Sequence, residues 1–506
     1  MIGKLEPADL PQSLRSDLAG EYPLYIYLSH DKKILFYSTS LTTLLGFYQI
    51  KKPLNIRSDS VGFLLQNGVI PPPRTIFENL YILSIGWKVD LFCRNNEIVL
   101  DFKYKFPFLT IDRQSSFGSI PRESQILELI ADATMSRLNL DKPNFLFHSA
   151  GKDSNTIALA LAEAGWQDKV TLISHESKGE FDESQISASI AKKLGFRHRI
   201  LKEIDRLGDK QWPKVIDFFS RMPFPCVDPV TLAYPLYVYQ MPELVGANII
   251  DGGGNDSYML TPLTTREHKI LPFTRLASQL HLLRNFVNSE NILNPLLRTS
   301  AEWFGMMGFS YADSRKLYSD ASSVYHYWKT ESSMRRNWDV IDFKTDILTS
   351  VVACELHIRK ARLFADAFGC NLVLPFANEK VAQYFLGIRL DLLVDQSTRK
   401  NKIILRSILK NGIGLDSDAI GKMGYSYDVG SIVLNNLPTL LQEIKDCSLW
   451  DSRNGLPLIL NRLLRNINES GWKGRTTRFL IYRLYLISGW YNHSIYTVDG
   501  PSKVQI

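Results

Sequence analysis

The hydrophobic and polar positions divide the 506-residue chain into three textures. Up to about residue 110, short apolar β-prone runs recur: Leu24-Tyr-Ile-Tyr-Leu28, Ile34-Leu-Phe-Tyr37, Tyr81-Ile-Leu83, Lys88-Val-Asp-Leu-Phe92 and Ile98-Val-Leu100. Turn formers such as His30-Asp31, Gly86 and Asn95-Asn96 separate them, which predicts a small antiparallel β-rich domain. Between about 120 and 260 the rhythm alternates. Helical spacing over Ser124–Leu138 is followed by a strand-like run, Phe145-Leu-Phe147. A helix pattern from Thr156 to Ala164, a strand Val170-Thr-Leu-Ile173 and a helix Glu183–Leu194 come next. That alternation predicts a parallel sheet flanked by helices. From about 265 onward helical periodicity dominates and no regular series of strands is expected.

Composition adds bounds rather than direction. At 45% hydrophobic, 11% aromatic and 22% charged, the chain has enough apolar residues for large cores and is not disordered as a whole. Lys plus Arg is 59 and Asp plus Glu is 52, a net charge of +7. That excess suits an anionic ligand and is too thin to indicate a nucleic-acid protein. Five cysteines are too scattered for a zinc site, and a reducing cytoplasmic location is expected. The first ten residues lack the apolar segment of a signal peptide, and no run reaches a membrane span.

The sharpest chemistry lies in Ser149-Ala150-Gly151-Lys152-Asp153-Ser154, which follows a strand and opens a helix. Small residues let backbone approach a bulky anion. The two serine hydroxyls and the amides of the helix start can donate to phosphate oxygens. A carboxylate there, Asp153, makes sense if it holds a metal ion or fixes the turn. The spacing is neither a Walker A loop nor a GxGxxG fingerprint, and the plain alternative is a helix cap in an ordinary βα turn. Downstream, Gly252 and Gly254 follow the apolar run Ile249-Ile250, so a tight turn is expected at a sheet's carboxyl edge, with Asp256 placed to share a metal with Asp153.

SAGKDS resembles the SGGxDS loop of the ATP-pyrophosphatase, or PP-loop, enzymes. Four further segments resemble the asparagine-synthetase-like branch. They are Asp182-Glu183 with the helix ending Lys193-Leu-Gly-Phe-Arg-His198; Met222-Pro-Phe-Pro-Cys-Val-Asp228-Pro; Ile249-Ile-Asp-Gly252-Gly-Gly254-Asn-Asp256; and Lys402-Ile-Ile-Leu-Arg406 with Gly421-Lys422-Met-Gly-Tyr-Ser-Tyr-Asp428. Together they span roughly residues 120 to 430. The resemblance implies an α/β fold: a parallel-sheet PP-loop synthetase domain with a helical C-terminal extension over 116–506. It implies a small, degenerate, glutaminase-like (Ntn-like) β-rich domain over 1–115. It further implies an AMP-forming carbon–nitrogen ligase using ATP and Mg²⁺. Ser149, Ala150, Gly151, Lys152, Asp153, Ser154, Ser174, Gly252, Gly254 and Lys422 would bind nucleotide, and Asp153 and Asp256 the metal. Lys422 would stabilise charge on the phosphates and the tetrahedral intermediate.

Two departures narrow the reading. Glutamine-hydrolysing members carry a cysteine directly after the initiator methionine, whereas position 2 is Ile2 and the first cysteine is Cys93. Thioester chemistry needs that nucleophile, so glutamine is not the expected nitrogen donor. Where the family shows Glu-x-Arg-x-Pro-Phe, this chain has Asn371-Leu-Val373-Leu-Pro375-Phe376, and Asn cannot serve as a base. Candidates for that work are Tyr258, Glu355 and His357. Among branches that dispense with glutamine, lasso-peptide cyclases often lose the Glu-x-Arg pattern. The expectation is therefore intramolecular macrolactam formation on a peptide or amino-acid-derived substrate, with a precursor-processing protease as a partner. β-Lactam synthetase-like and ammonia-dependent asparagine-synthetase-like activities stay open. So does a PP-loop tRNA-modifying enzyme, although the usual cysteine pairs or basic appendages are not evident.

Overall fold

The computed structural model describes residues 2–114, 120–179, 182–305, 307–420 and 427–497. The N-terminal strands are β1 (Gly3–Leu5), β2 (Gln12–Arg15), β3 (Leu24–Leu28), β4 (Leu35–Ser38), β5 (Leu80–Leu83), β6 (Trp87–Arg94) and β7 (Glu97–Tyr104). They form two antiparallel sheets, ordered β1-β4-β3-β5 and β2-β6-β7. Alternation along β3 explains how they pack. Leu24, Ile26 and Leu28 face Val89, Leu91 and Ile98 of the second sheet. Tyr25 and Tyr27 point the other way, into a core shared with α1 (Ser58–Asn67) and with residues far along the chain such as Phe224 and Trp490. The expected strands are all present. The two N-terminal sheets close a core of their own between them, and the other face of β3 joins a larger core shared with the rest of the chain.

The second half is built on a five-stranded sheet: β8 (Asn144–Phe147), β9 (Val170–Glu176), β10 (Arg197–Lys202), β11 (Asn248–Ile250) and β12 (Asn371–Val373). Its order is β10-β9-β8-β11-β12 and every pairing is parallel. Buried on both faces, these strands read as apolar runs. Leu146, Leu172 and Ile250 pack into one core with α2 (Glu123–Met135), α3 (Lys152–Glu163) and α7 (Ile403–Ile413). Phe145, Ile173 and Ile249 pack into the other, with α6 (Ile358–Phe368) and α8 (Gly471–His493). On α3, Ile157, Leu159 and Leu161 are nearly or fully buried, each contributing about 1.5–3 kcal/mol. Helix α4 (Ser184–Leu194) links β9 to β10, and α5 (Thr265–Ala277) opens the helical region.

One boundary needs correction: helix α3 starts at Lys152, four residues before the predicted Thr156, so Asp153 and Ser154 sit in its first turn. The region after 265 has no regular strand series among the described residues, but it does carry short strands. It supplies the edge strand β12 and a two-residue antiparallel pair, β13 (Val394–Asp395) with β14 (Lys400–Asn401). Finally, Ile347–His357 is a wide π-helical run leading into α6, a geometry that often marks a functional stretch.

Candidate active site

In sheet order β9 lies on one side of β8 and β11 on the other, so the chain reverses direction across the sheet between β8 and β11. Loops leaving the carboxyl ends of those strands diverge and leave a crevice, the usual ligand position in open α/β sheets. Here the crevice is an open cavity of about 270 Å³. Ser149, Gly151, Asp153, Ser154, Ser174, Gly252 and Asp256 all line it.

The loop after β8 is held from below. Gly151 caps α3 in an extended conformation. Its N–H donates to Ser149 Oγ at 3.0 Å, and Asn155 Nδ2 ties down the carbonyls of Ser149 (3.0 Å) and Gly151 (2.6 Å). The Ser149 and Ser154 hydroxyls lie 3.3 Å apart at the crevice. The N-terminal amides of α3 and its dipole therefore face the cavity. In the β11 loop Gly254 is sterically required and Gly252 is tightly packed. A Cβ on Gly252 would stand 3.2 Å from Ser154 N, and one on Gly254 (φ +115°) 2.8 Å from Ala377 N.

Asp153 and Asp256 both reach a residue with no assigned role, which stands between them. Lys402 Nζ lies 2.7 Å from Asp153 Oδ2 and 2.9 Å from Asp256 Oδ1. Asp153 Oδ1 also accepts from Asn255 Nδ2 at 2.6 Å. Lys402 is buried and holds a left-handed backbone (φ 58°) just before α7, a conformation an ordinary side chain avoids. Burial alone would lower its ammonium pKa. The two carboxylates outweigh that and raise it, so the cation is permanent. Two carboxylates presenting only hard oxygens beside phosphate donors suit Mg²⁺ delivered with a phosphate ligand. Among the described residues there is no cluster of three or more His, Cys, Asp or Glu side chains able to hold a metal unaided.

The remaining wall has an apolar part and a polar part. Phe147, Ile173, Val230, Tyr234, Tyr237 and Ile358 supply the apolar part. Opposite lie His357 and Lys360, whose Nζ is 3.2 Å from both oxygens of Asp228. Burial and neighbouring Lys360 push the His357 imidazole pKa down, leaving it neutral near pH 7. Beneath the loop, Ser174 Oγ donates to the His148 carbonyl at 2.9 Å and contacts Ser187 and His198. Burial lowers the His148 pKa to about 4. His175 reaches Tyr237 (3.0 Å) and the fully buried Glu203 (3.2 Å). Glu203 also accepts the N–H of Lys178 at 3.0 Å and of Asp428 at 2.8 Å.

Not every expected residue reaches the cavity. Tyr258 is fully buried and donates its hydroxyl to the Phe376 carbonyl at 2.8 Å; burial raises its pKa well above normal, so it is no base. Glu355 pairs with Arg359 and lines a separate small cavity with Leu64 and Phe224. In the π-helical run, His357 is the residue that lines the crevice. Asn371 opens β12, at the strand end opposite the crevice, where its amide donates to the carbonyl of Arg137 and to Asn248 Oδ1. Its identity therefore does not decide the base. Ala150 lies under the loop with its N–H on Glu183 (2.9 Å), and neither Lys152 nor Gly254 lines the cavity. Lys422 lies outside the described residues.

An open parallel sheet carrying this loop at its carboxyl edge fits a PP-loop synthetase domain. The family model "Asparagine synthase" matches residues 125–454, more than half of the chain, and the chain belongs to that family. It is also 26% identical over 191 residues to a protein of Methanocaldococcus jannaschii named "Putative asparagine synthetase (glutamine-hydrolyzing) 2". That match covers 37% of this chain and 36% of the relative. Among the described residues, no helix is long and apolar enough to cross a membrane.

Proposed function

We propose that the chain is an ATP-dependent, AMP-forming amide synthetase that joins a carboxylate to an amine without hydrolysing glutamine, and that its substrate is a peptide closed into a macrolactam. The observation that carries the adenylation is the crevice itself: the paired serine hydroxyls, Asp153 in the start of α3 and Asp256 line one cavity, and Lys402 bridges the two carboxylates. In this reading the apolar wall takes the adenine. Ser149, Ser154 and the first amides of α3 hold the β- and γ-phosphates. Asp153 and Asp256 would hold Mg²⁺, which neutralises phosphate charge when bound.

A substrate carboxylate oxygen then attacks the α-phosphorus. The acyl O–P bond forms and the bond to pyrophosphate breaks. The amine attacks the acyl carbon, its proton passes to His357 Nδ1 or Nε2, and AMP leaves. Most of the acceleration comes from holding charged reactants in place. Independence from glutamine is supported by the N-terminal sheets. Among the described residues of 2–114 the sole cysteine is Cys93, exposed near the end of β6.

ATP–pyrophosphate exchange with candidate acids tests this. Exchange that needs a peptide or amino-acid carboxylate and ignores glutamine supports it. No exchange with any such acid, from folded protein, sinks it. Asparagine formed from aspartate and ammonium would replace macrolactam formation with the simpler amidation. A processing protease that supplies the free amine is the partner this reading calls for.

A further inference from the structure

One carboxylate of the crevice has no part in holding the nucleotide. Asp251 directly follows β11, and its N–H donates to the Val373 carbonyl at 3.0 Å, which fixes its backbone at the carboxyl edge of the sheet. Its side chain lines the cavity, as do Asp153 and Asp256. Those two share Lys402, and Lys360, which also lines the cavity, is committed to Asp228. Asp251 forms no ion pair among the described residues. Only one of its oxygens is in use. Oδ1 accepts the Gly253 N–H at 2.8 Å. Oδ2 makes no hydrogen bond among the described residues and is not sealed off from solvent, so it opens onto the cavity. The carboxyl group also stands near the expected proton acceptor. A Cβ on Gly253 would meet both Asp251 Oδ1, at 3.1 Å, and Ile358 Cγ1, at 3.5 Å. Asp251 and the start of α6 thus flank the same glycine, and His357 is one residue before Ile358.

A half-buried carboxylate is stabilised by a cation. ATP brings negative charge, and the Mg²⁺ proposed above belongs to Asp153 and Asp256, so the missing cation comes with the amine substrate. An α-amine has an ordinary pKa of about 7.7–8.0 and therefore arrives at neutral pH mostly as an ammonium. We propose that Asp251 is the amine-binding carboxylate of the crevice, with Oδ2 holding the incoming ammonium and removing its first proton. The proposal rests on the synthetase reading. One N–H bond breaks, its electron pair stays on nitrogen and the proton moves to Oδ2. That pair forms the C–N bond at the acyl carbon. The second proton passes to His357, and the acyl C–O bond breaks with its pair leaving on AMP. Burial raises the Asp251 carboxyl pKa, against the Gly253 N–H and Lys360, which lower it; a raised value suits a proton acceptor.

The test separates the two half-reactions. An acid that supports ATP–pyrophosphate exchange with its own amine acetylated is offered glycinamide, a charged α-amine, or hydroxylamine, which is mostly uncharged at pH 7. Mass spectrometry quantifies the amide and the hydroxamate. Asp251→Asn keeps the shape and the oxygen that accepts from Gly253, and removes the charge. It should lower glycinamide coupling about a hundredfold, while hydroxamate formation and exchange change less than about threefold. Asp251→Glu restores a carboxylate and should recover about tenfold of the lost coupling. Both nucleophiles are compared in one sample, so partial unfolding lowers the two together and does not imitate the effect. Equal losses with both nucleophiles, unchanged glycinamide coupling, or a parent that forms hydroxamate but no glycinamide amide would each overturn the proposal. So would a raised KM for ATP at an unchanged ratio of the two products, which would make Asp251 a nucleotide contact. No exchange from the parent removes the synthetase reading itself. Intact exchange with an unchanged product ratio in Asp251→Asn removes the assignment of Asp251 alone.

Discussion

Replacing Lys402 with Met tests the centre of the site, because Met keeps the buried stem and removes only the ammonium. The loss can be worked from two contacts. The Asp153 arm is 2.7 Å long, and its side chains are 8% and 28% exposed. A charge-assisted bond in that setting is worth about 1.5–3 kcal/mol. The Asp256 arm is 2.9 Å long, but Asp256 is 52% exposed. Solvent screening reduces that arm to about 0–1 kcal/mol. Lys402→Met should therefore destabilise by about 2–4 kcal/mol.

Urea denaturation measures the loss, and salt should shrink only the smaller, exposed share. A cycle with Asp153→Asn should return most of the loss as coupling energy. The pH dependence has a definite sign. The folded pKa of Lys402 is raised above its ordinary 10.5. The stabilisation is therefore complete below about 10.5 and lost only as pH rises through the higher folded value. Between pH 7 and 9 the penalty should be flat. A further comparison separates charge from backbone: because φ is 58°, Lys402→Gly should be more stable than Lys402→Ala by about 1 kcal/mol. Mg²⁺ should stabilise Lys402→Met more than the parent, since it restores a cation between the carboxylates. A loss below about 0.5 kcal/mol, or no coupling to Asp153, would refute the assignment of Lys402 as the site's resident cation.

Other parts of the molecule give sharper single outcomes. Gly254→Ala would place a Cβ 2.7 Å from Ala377 Cβ at a φ of +115°; a loss of about 2–4 kcal/mol in urea denaturation, together with weaker ATP binding by calorimetry, is expected. Burial, partly offset by Arg362 and Arg359, raises the Asp366 carboxyl to about 6. Its neutral form therefore favours folding below its unfolded value, and that stability disappears as pH rises through 6. Asp366→Asn should be more stable than the parent by about 2 kcal/mol at pH 8 and equal to it near pH 4, as read from melting curves. Glu203→Gln turns an amide donor toward one of the N–H groups the carboxylate accepts; a cost of about 1–3 kcal/mol and a raised KM for ATP are expected.

Strands β3 to β9 and β11, the loop and the first glycine turn were legible because each is local: alternation, small residues and a helix start lie side by side in sequence, whereas β1, β2 and β10 were not read. Edge strand β12 was not, since three residues before a proline carry too little pattern to be told from a loop. Tyr258 and Glu355 were misplaced for a different reason. Their residue types suit proton transfer, but direction is set by tertiary packing, and Tyr258 spends its hydroxyl on Phe376 in the core. The π-helical run changes the helical phase just where Glu355 and His357 diverge. Lys402 was visible in a family-like segment, yet its role depends on Asp153, 249 residues earlier. One local signal was available: a lysine directly preceding an amphipathic helix, where a capping side chain would be usual.

The charges of the crevice also limit what can enter it. Lys402 is committed to Asp153 and Asp256, and Lys360 to Asp228, so among the described residues these two lysines at the crevice already face three carboxylates. Among the described residues the overall +7 is therefore not concentrated here. A bare triphosphate would meet a neutral to negative wall, softened only by the start of α3. A metal–triphosphate complex carries less negative charge and offers the carboxylates a partner. ATP should then bind far more weakly in EDTA than in Mg²⁺, and Asp256→Asn, which removes one carboxylate from the exposed side, should narrow that gap. Equal affinity with and without the metal would mean that Lys402 leaves its carboxylates when ATP arrives, and that this lysine, not a divalent ion, meets the phosphates.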